Sequence, residues 1–316
     1  MVTQTKITST PPWYLLNKHL ETIYPALFRK VIKRPNTSKR IITRDNDFID
    51  LDLYDIKGNK TVVLSHGLEG NSRKPYMTGM INILLNAGFN CVAWNLRGCS
   101  GTSNNYPYSY HSGASQDLEY VVKVAIDKFP ASNIFLIGFS LGGNLTLKYL
   151  GENPLHPKIS KAVAISTPLD LYNSVLEISK PSNWIYTKRF LNTLKRKITE
   201  KAKLFPKEIN IENINKISNL WEFDDRYTAP LHGFIDALDY YTQCSSIHFL
   251  ENIKVPTLII NARNDPFLSK ECYPENINPR YITCDYPIYG GHLGFKMSGN
   301  KNKYYHEIKS LEFLSK

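Results

Sequence analysis

Ser140 stands in Gly138-Phe139-Ser140-Leu141-Gly142, with glycine two residues before and two after it. Where such a serine joins a strand to a helix, the tight turn forces it into strained backbone geometry. Glycine at the flanking positions removes side chains that would collide with the neighbouring strand and helix. The hydroxyl then projects at the positive end of the helix, where an alkoxide or oxyanion is favoured. The short pattern alone is weak, but here Ile134–Ile137 reads as a strand and Leu141–Tyr149 as a helix. A serine hydroxyl is a poor nucleophile unless a base, itself held by a third group, removes its proton. Asp265 in Asn264-Asp265-Pro266 and His292 in Gly290-Gly291-His292-Leu293-Gly294-Phe295 supply both, in the chain order Ser, Asp, His. Two backbone N–H groups must also face the developing oxyanion. Leu141, after the serine, gives one, and Leu68 in His66-Gly67-Leu68-Glu69-Gly70 gives the other. The expected chemistry is attack of Ser140 on an acyl carbonyl.

The other chemically able residues take quieter roles. His66 precedes the serine and sits in the oxyanion segment, so it is expected to shape that loop. Asp265 could merely cap a turn, but its place just past a strand favours the catalytic role. Asp224, Asp225 and Asp239 come before the strand that should present the acid, and are expected to be structural or lid-positioning. Arg97 is expected to brace its loop through bonds to loop carbonyls. His19, His111 and His232 are scattered without ligand spacing, and no metal site or cofactor is expected.

These groups need a scaffold. Thr61–Ser65, Phe89–Trp94, Ile134–Ile137 and Ala162–Ser166 are apolar runs of strand length. They alternate with helix-like stretches at Tyr76–Asn86, Ser115–Lys128 and Leu141–Tyr149. That alternation predicts an α/β fold with a mostly parallel central sheet flanked by helices and ligands bound beyond the carboxyl ends of the strands. The rhythm breaks after Pro168, where lysine-rich helical sequence suggests a lid-like insertion at about 168–232. It resumes at Val255–Asn261 and ends with the strand Arg280–Cys284, so that Asp265 and His292 each fall just past a strand. One domain is expected over 1–316, with an N-terminal extension of about 1–45.

The net charge of +11 and pI near 9.2 would suit a polyanion if the cations formed one patch. They are spread along the chain, which speaks against nucleic acid. The cluster from Lys188 to Lys203 leaves weak contact with an anionic membrane surface open. The 5 cysteines are odd in number, well separated and lack CxxC spacing, as expected of reduced thiols. With no signal-peptide core and no long apolar run, the expected location is the cytoplasm. The sequence sets no oligomeric state.

The chain also resembles the YheT-like branch of the α/β-hydrolases, related to the eukaryotic medium-chain fatty-acid ethyl ester synthase/esterases. The resemblance is carried by Pro11-Pro12-Trp13, Asn17-Lys18-His19-Leu20-Glu21-Thr22, the His66–Gly70 segment, Asn95-Leu96-Arg97-Gly98 and Tyr110-His111-Ser112-Gly113. It continues through the serine turn with Gly143-Asn144, Phe223-Asp224-Asp225, Thr228–Phe234, Asp239-Tyr240-Tyr241, Asn264-Asp265-Pro266 and Gly290–Phe295. It implies a carboxylic-ester hydrolase acting on a small lipophilic acyl ester. Some relatives pass acyl groups to alcohols or cleave phospholipids. Glu21 stands where the family more often has glutamine. Ester hydrolase, acyltransferase and non-catalytic binding protein all remain open at this point.

Overall fold

Side chains alternate across the central strands, so a strand that is apolar throughout needs a cover on both faces. The computed structural model, which describes residues 10–154, 156–275, 277, 280–299 and 304–316, meets that demand. Its eight strands are β1 (Thr37–Ile42), β2 (Phe48–Tyr54), β3 (Lys60–Ser65), β4 (Phe89–Asn95), β5 (Asn133–Phe139), β6 (Ile159–Ile165), β7 (Thr257–Ile260) and β8 (Ile282–Asp285). They lie in one sheet in the order β1-β2-β4-β3-β5-β6-β7-β8. From β4 to β8 every pairing is parallel, while β1 and β2 add on antiparallel.

On one face, Ile134 and Leu136 of β5 pack with Leu118 and Val121 of α3 (Ser115–Lys128) and Leu145 and Tyr149 of α4 (Leu141–Glu152). On the other, Phe135, Ile137 and Phe139 meet Met77, Met80 and Leu84 of α2 (Pro75–Asn86) and Leu314 of α10 (Tyr305–Ser315). The register aligns Ser65 with Gly138 and Ile165 with Ile260, so the carboxyl ends of β3, β5, β6 and β7 finish together.

Between β6 and β7 the chain builds helices: α5 (Leu171–Ile178), α6 (Trp184–Leu204), α7 (Leu220–Phe223), a π-helical turn at Asp224–Thr228, α8 (Ala229–Leu231) and α9 (Ala237–Cys244). Leu191, Ile198 and Ala202 of α6 close a small core of their own with Ile209, Ile214, Ile217, Leu220 and Phe223. The side-chain amide of Asn183, just before α6, donates to the Pro266 carbonyl at 2.8 Å, tying this segment to the loop of Asp265.

Residues 10–54 hold more order than the sequence pattern suggests. They form α1 (Lys18–Phe28) and the antiparallel pair β1 and β2. β1 lies at the sheet edge and is exposed at five of six positions, so it carries almost no burial pattern to read.

Candidate active site

The turn at Ser140 is held by crowding. Ser140 has φ +53° and ψ −122°, and its N–H donates to the Ile165 carbonyl of β6 at 2.8 Å. A methyl group at Gly138 would come within 2.2 Å of the Gly142 carbonyl oxygen, and one at Gly142 within 2.4 Å of that of Ser65. Neither position can carry a side chain without backbone movement. The serine also faces the His66–Gly70 segment, because a Cβ on Gly67 would lie 3.0 Å from the Ser140 Cβ and 3.5 Å from its Oγ.

His66 is fully buried and shapes that segment. Its Nδ1 lies 2.8 Å from the Gly67 carbonyl, and its Nε2 accepts the Leu96 N–H at 3.1 Å. Burial pushes its pKa down to about 4, which leaves the ring neutral at pH 7. Glu69 follows at φ +52°. Its Oε1 accepts from the Tyr110 hydroxyl and from Lys197 Nζ of α6, each at 2.8 Å, which links the loop to the helices above it. Leu68 and Leu141 both line the cavity in front of the serine, and no acceptor among the described residues takes either N–H.

His292 reaches the serine from the loop after β8. Its Nε2 is 2.9 Å from Ser140 Oγ, while its Nδ1 is 2.9 Å from Oδ2 and 3.1 Å from Oδ1 of Asp265. A carboxylate only accepts, so Nδ1 carries the proton and Nε2 is free to accept from the serine hydroxyl. The Asp265 carboxyl is excluded from solvent and accepts the Phe267 N–H at 2.9 Å. The Phe267 ring covers the imidazole with centroids 4.1 Å apart.

The sequence pattern does not reveal what holds the histidine loop, and the structure places α1 there. The His292 N–H donates to Thr22 Oγ1 at 2.9 Å. Glu21 Oε2 accepts from the Gly290 N–H at 2.8 Å and from Asn264 Nδ2 at 2.7 Å. Burial raises the Glu21 pKa against the pull of these bonds, and its Oε1 has no partner. Gly291, Leu293 and Phe295 take positive φ, bending the loop so that the Leu293 N–H reaches Ser166 Oγ at 3.0 Å.

The cavity before the serine encloses about 1190 Å³, counting the part open to solvent. Val175 and Ile178 of α5, Phe190, Leu194 and Ile198 of α6, and Phe223 form an apolar wall. The lining also includes polar groups. Asp224 accepts from the Thr228 hydroxyl at 2.6 Å and the Tyr241 hydroxyl at 2.7 Å, and burial raises its pKa to about 6 against those bonds. His232, bonded through Nδ1 to the Thr228 carbonyl at 2.8 Å, packs at a tilt against His111 with centroids 4.6 Å apart. Burial lowers the pKa of both histidines, and a charged His232 ring would further oppose charging of His111.

Other expectations resolve individually. Asp225 accepts the Ala237 N–H at 3.0 Å, and Asp239 caps Ile235 at 3.0 Å, both away from His292. Asp224 instead faces the cavity. Arg97 braces its loop, but through carboxylates where carbonyls were expected: Asp117 at 2.7 Å, Asp45 at 2.6 Å and Asp47 at 2.9 Å. His111 and His232, far apart in sequence, come together, while His19 packs on Tyr186. No group of three or more His, Cys, Asp or Glu able to hold a metal occurs among the described residues. All five cysteines are buried and unpaired. No described helix is long and apolar enough to cross a membrane.

The model of the α/β-hydrolase fold matches residues 60–278 of this chain. YheT of Escherichia coli strain K12 is 33% identical over 287 residues, which are 88% of this chain and 84% of that protein. Phospholipase ABHD3 of Mus musculus is 30% identical over 81% of this chain, which spans 65% of that protein's length. Medium-chain fatty acid ethyl ester synthase/esterase 2 of Saccharomyces cerevisiae is 28% identical over 82% of this chain and 62% of its own length. An esterase of Pyrococcus furiosus superposes with a TM-score of 0.60 at 20% identity, covering 88% of this chain and 90% of that one, and so shares the fold. With these matches, the chain belongs to the α/β-hydrolases, in the esterase- and lipase-like branch that includes YheT.

Proposed function

We propose that this protein hydrolyses carboxylic esters with lipophilic acyl groups through an acyl-enzyme on Ser140. The observation that carries the proposal is the unbroken relay from Asp265 Oδ2 to His292 Nδ1 and from Nε2 to Ser140 Oγ, with both steps at 2.9 Å. His292 takes the serine proton as Oγ attacks the ester carbonyl. Asp265 holds the imidazole in the required tautomer and stabilises the imidazolium. The N–H groups of Leu68 and Leu141 take the oxyanion, and His292 then protonates the departing alcohol. Water attacks the acyl-enzyme by the reverse of the first step. The apolar wall from α5 and α6 suits the acyl chain, and these helices serve as a lid over a single domain.

Labelling with a fluorophosphonate, read by intact mass, tests the proposal. Wild type should gain one adduct, Ser140→Ala none, and His292→Ala should label at least a hundredfold more slowly. Hydrolysis of p-nitrophenyl esters should show the same order and rise with chain length until the apolar wall is filled. A folded wild type that neither labels nor hydrolyses any ester of the series would overturn the proposal and favour a non-catalytic binding role.

A further inference from the structure

Exposed apolar side chains are unevenly distributed over this molecule. Of the eighteen large ones among the described residues, seven lie between Trp13 and Ile32 and six between Tyr172 and Ile211, while none from 57 to 171 is among them. Single exposed apolar residues are ordinary, but contiguous ones mark an interaction surface.

The two groups adjoin. The His19 ring of α1 stacks on Tyr186 of α6 at 5.8 Å, and its Nδ1 lies 3.1 Å from the Tyr186 hydroxyl. Beside this contact stand Leu20 on one side and Trp184 and Ile185 on the other, exposed by 49%, 60% and 47%. Trp13, 83% exposed, continues the surface through a series of ring contacts, from Trp13 to Tyr14, Tyr14 to Tyr24 and Tyr24 to Phe28, at 5.1–5.7 Å. The helices involved are apolar on both sides: α5 and α6 line the cavity with Val175, Ile178, Phe190 and Leu194, and present Leu176, Trp184 and Ile185 outward. An amphipathic helix needs only one such face.

Charge selects the occupant. α6 carries seven Lys or Arg against the single Glu200. Lys18, Lys30, Lys188 and Arg189 make no ion pair among the described residues, and Lys188 stands over the Trp184 ring. Indole rings and leucines edged by unpaired cations match the boundary between acyl chains and anionic headgroups.

We propose that the exposed side of α1 and the first turns of α5 and α6 form a docking surface for an anionic lipid bilayer, which sets the acyl cavity against the membrane. The benefit to catalysis rests on the lipophilic-ester reading, whereas the binding itself does not. Sedimentation of the full chain with vesicles tests it, alongside hydrolysis of a short water-soluble ester. Wild type should bind phosphatidylcholine vesicles containing phosphatidylglycerol at least tenfold more tightly than phosphatidylcholine alone, with a blue shift in tryptophan emission and weakening in high salt. Trp13→Ser/Trp184→Ser and Lys188→Glu/Arg189→Glu should each lose at least tenfold in binding, with unchanged melting curves and short-ester turnover. Absence of binding to anionic vesicles overturns the proposal, as does binding that survives both double substitutions. A dimer in sedimentation velocity that Trp13→Ser/Trp184→Ser dissociates would overturn it too, placing a second copy of the chain on the surface. Failure of short-ester hydrolysis in wild type that still binds vesicles would count against the triad alone.

Discussion

Two groups of carboxylate and histidine face the same cavity, and only one of them is connected to the serine. Asp265 and His292 hang on loops after parallel strands, and each bond in their chain has one donor and one acceptor. Asp224, His232 and His111 come from the π-helical turn, the end of α8 and the loop before α3. There the carboxyl is held by two hydroxyls, and His232 spends Nδ1 on a carbonyl. Burial is common to both groups, so it does not by itself make a base. What differs is the sequence of partners. A carboxylate bonded to imidazole orients it for proton transfer, whereas one bonded to hydroxyls far from a nucleophile can only present a polar wall.

The largest expected effect separates the two carboxyls kinetically. Asp265→Asn keeps the shape but disfavours the tautomer that leaves Nε2 free, and should lower kcat by about 10³–10⁴. Asp224→Asn should leave kcat within about threefold, because no bond joins it to His292. Steady-state hydrolysis of one ester by both variants decides the matter. A comparable collapse in Asp224→Asn would place that carboxyl in the reaction and undo the distinction.

The next effect is in stability. The Asp224 carboxyl, raised to about 6 from 3.8, binds its proton more tightly in the folded state. Its favourable contribution is therefore complete below pH 3.8 and lost as pH rises through about 6. Because the group borders a cavity that admits solvent, about 1–2 kcal/mol is a suitable scale for the loss. Asparagine does not titrate. The stability of Asp224→Asn relative to wild type should thus improve between pH 4 and 7 and level off above, whatever constant cost follows from rearranging the Thr228 and Tyr241 bonds. Urea titrations at each pH measure this. A flat difference would mean that the two hydroxyls keep Asp224 ionised throughout.

The sequence revealed the groups that local backbone rules constrain. Gly138 and Gly142 could be recognised because crowding by Ser65 and the turn itself forbids any side chain there, and the strands β3 to β6 because burial on both faces keeps their central positions apolar. The same local logic located Asp265 and His292 past strand ends, in segments the structure brings within hydrogen-bonding distance of one another and of Ser140. What escaped depends on contacts between distant segments. Thr22 meets the His292 loop across 270 positions of sequence, and His111 meets His232 across 121, with no periodicity to announce either. β2 did leave a trace: Ile49, Leu51 and Leu53 alternate with acidic residues, the mark of a strand, but the flanking edge strand β1 shows no such pattern.

Glu21 gives the smallest effect and the sharpest version of the comparison, because it is a third buried carboxyl, hydrogen-bonded to the loop that carries His292 but not to the imidazole. Its raised pKa has the same sign as that of Asp224, so its stabilising contribution is present below 4.5 and fades as pH rises. Glu21→Gln keeps an oxygen to accept from Gly290 and Asn264 but turns an amide toward the site where Oε1 lacks a partner. Relative stability should therefore be slightly unfavourable near pH 4 and shift in favour of the variant as pH rises toward 8, by less than for Asp224→Asn. If Glu21 acts only by fixing the loop, kcat should stay within about twofold and its pH profile should not move. A displaced pH profile with an unchanged melting curve would instead show that the Glu21 charge reaches His292 through the loop, making the carboxyls behind the histidine part of its electrostatic setting.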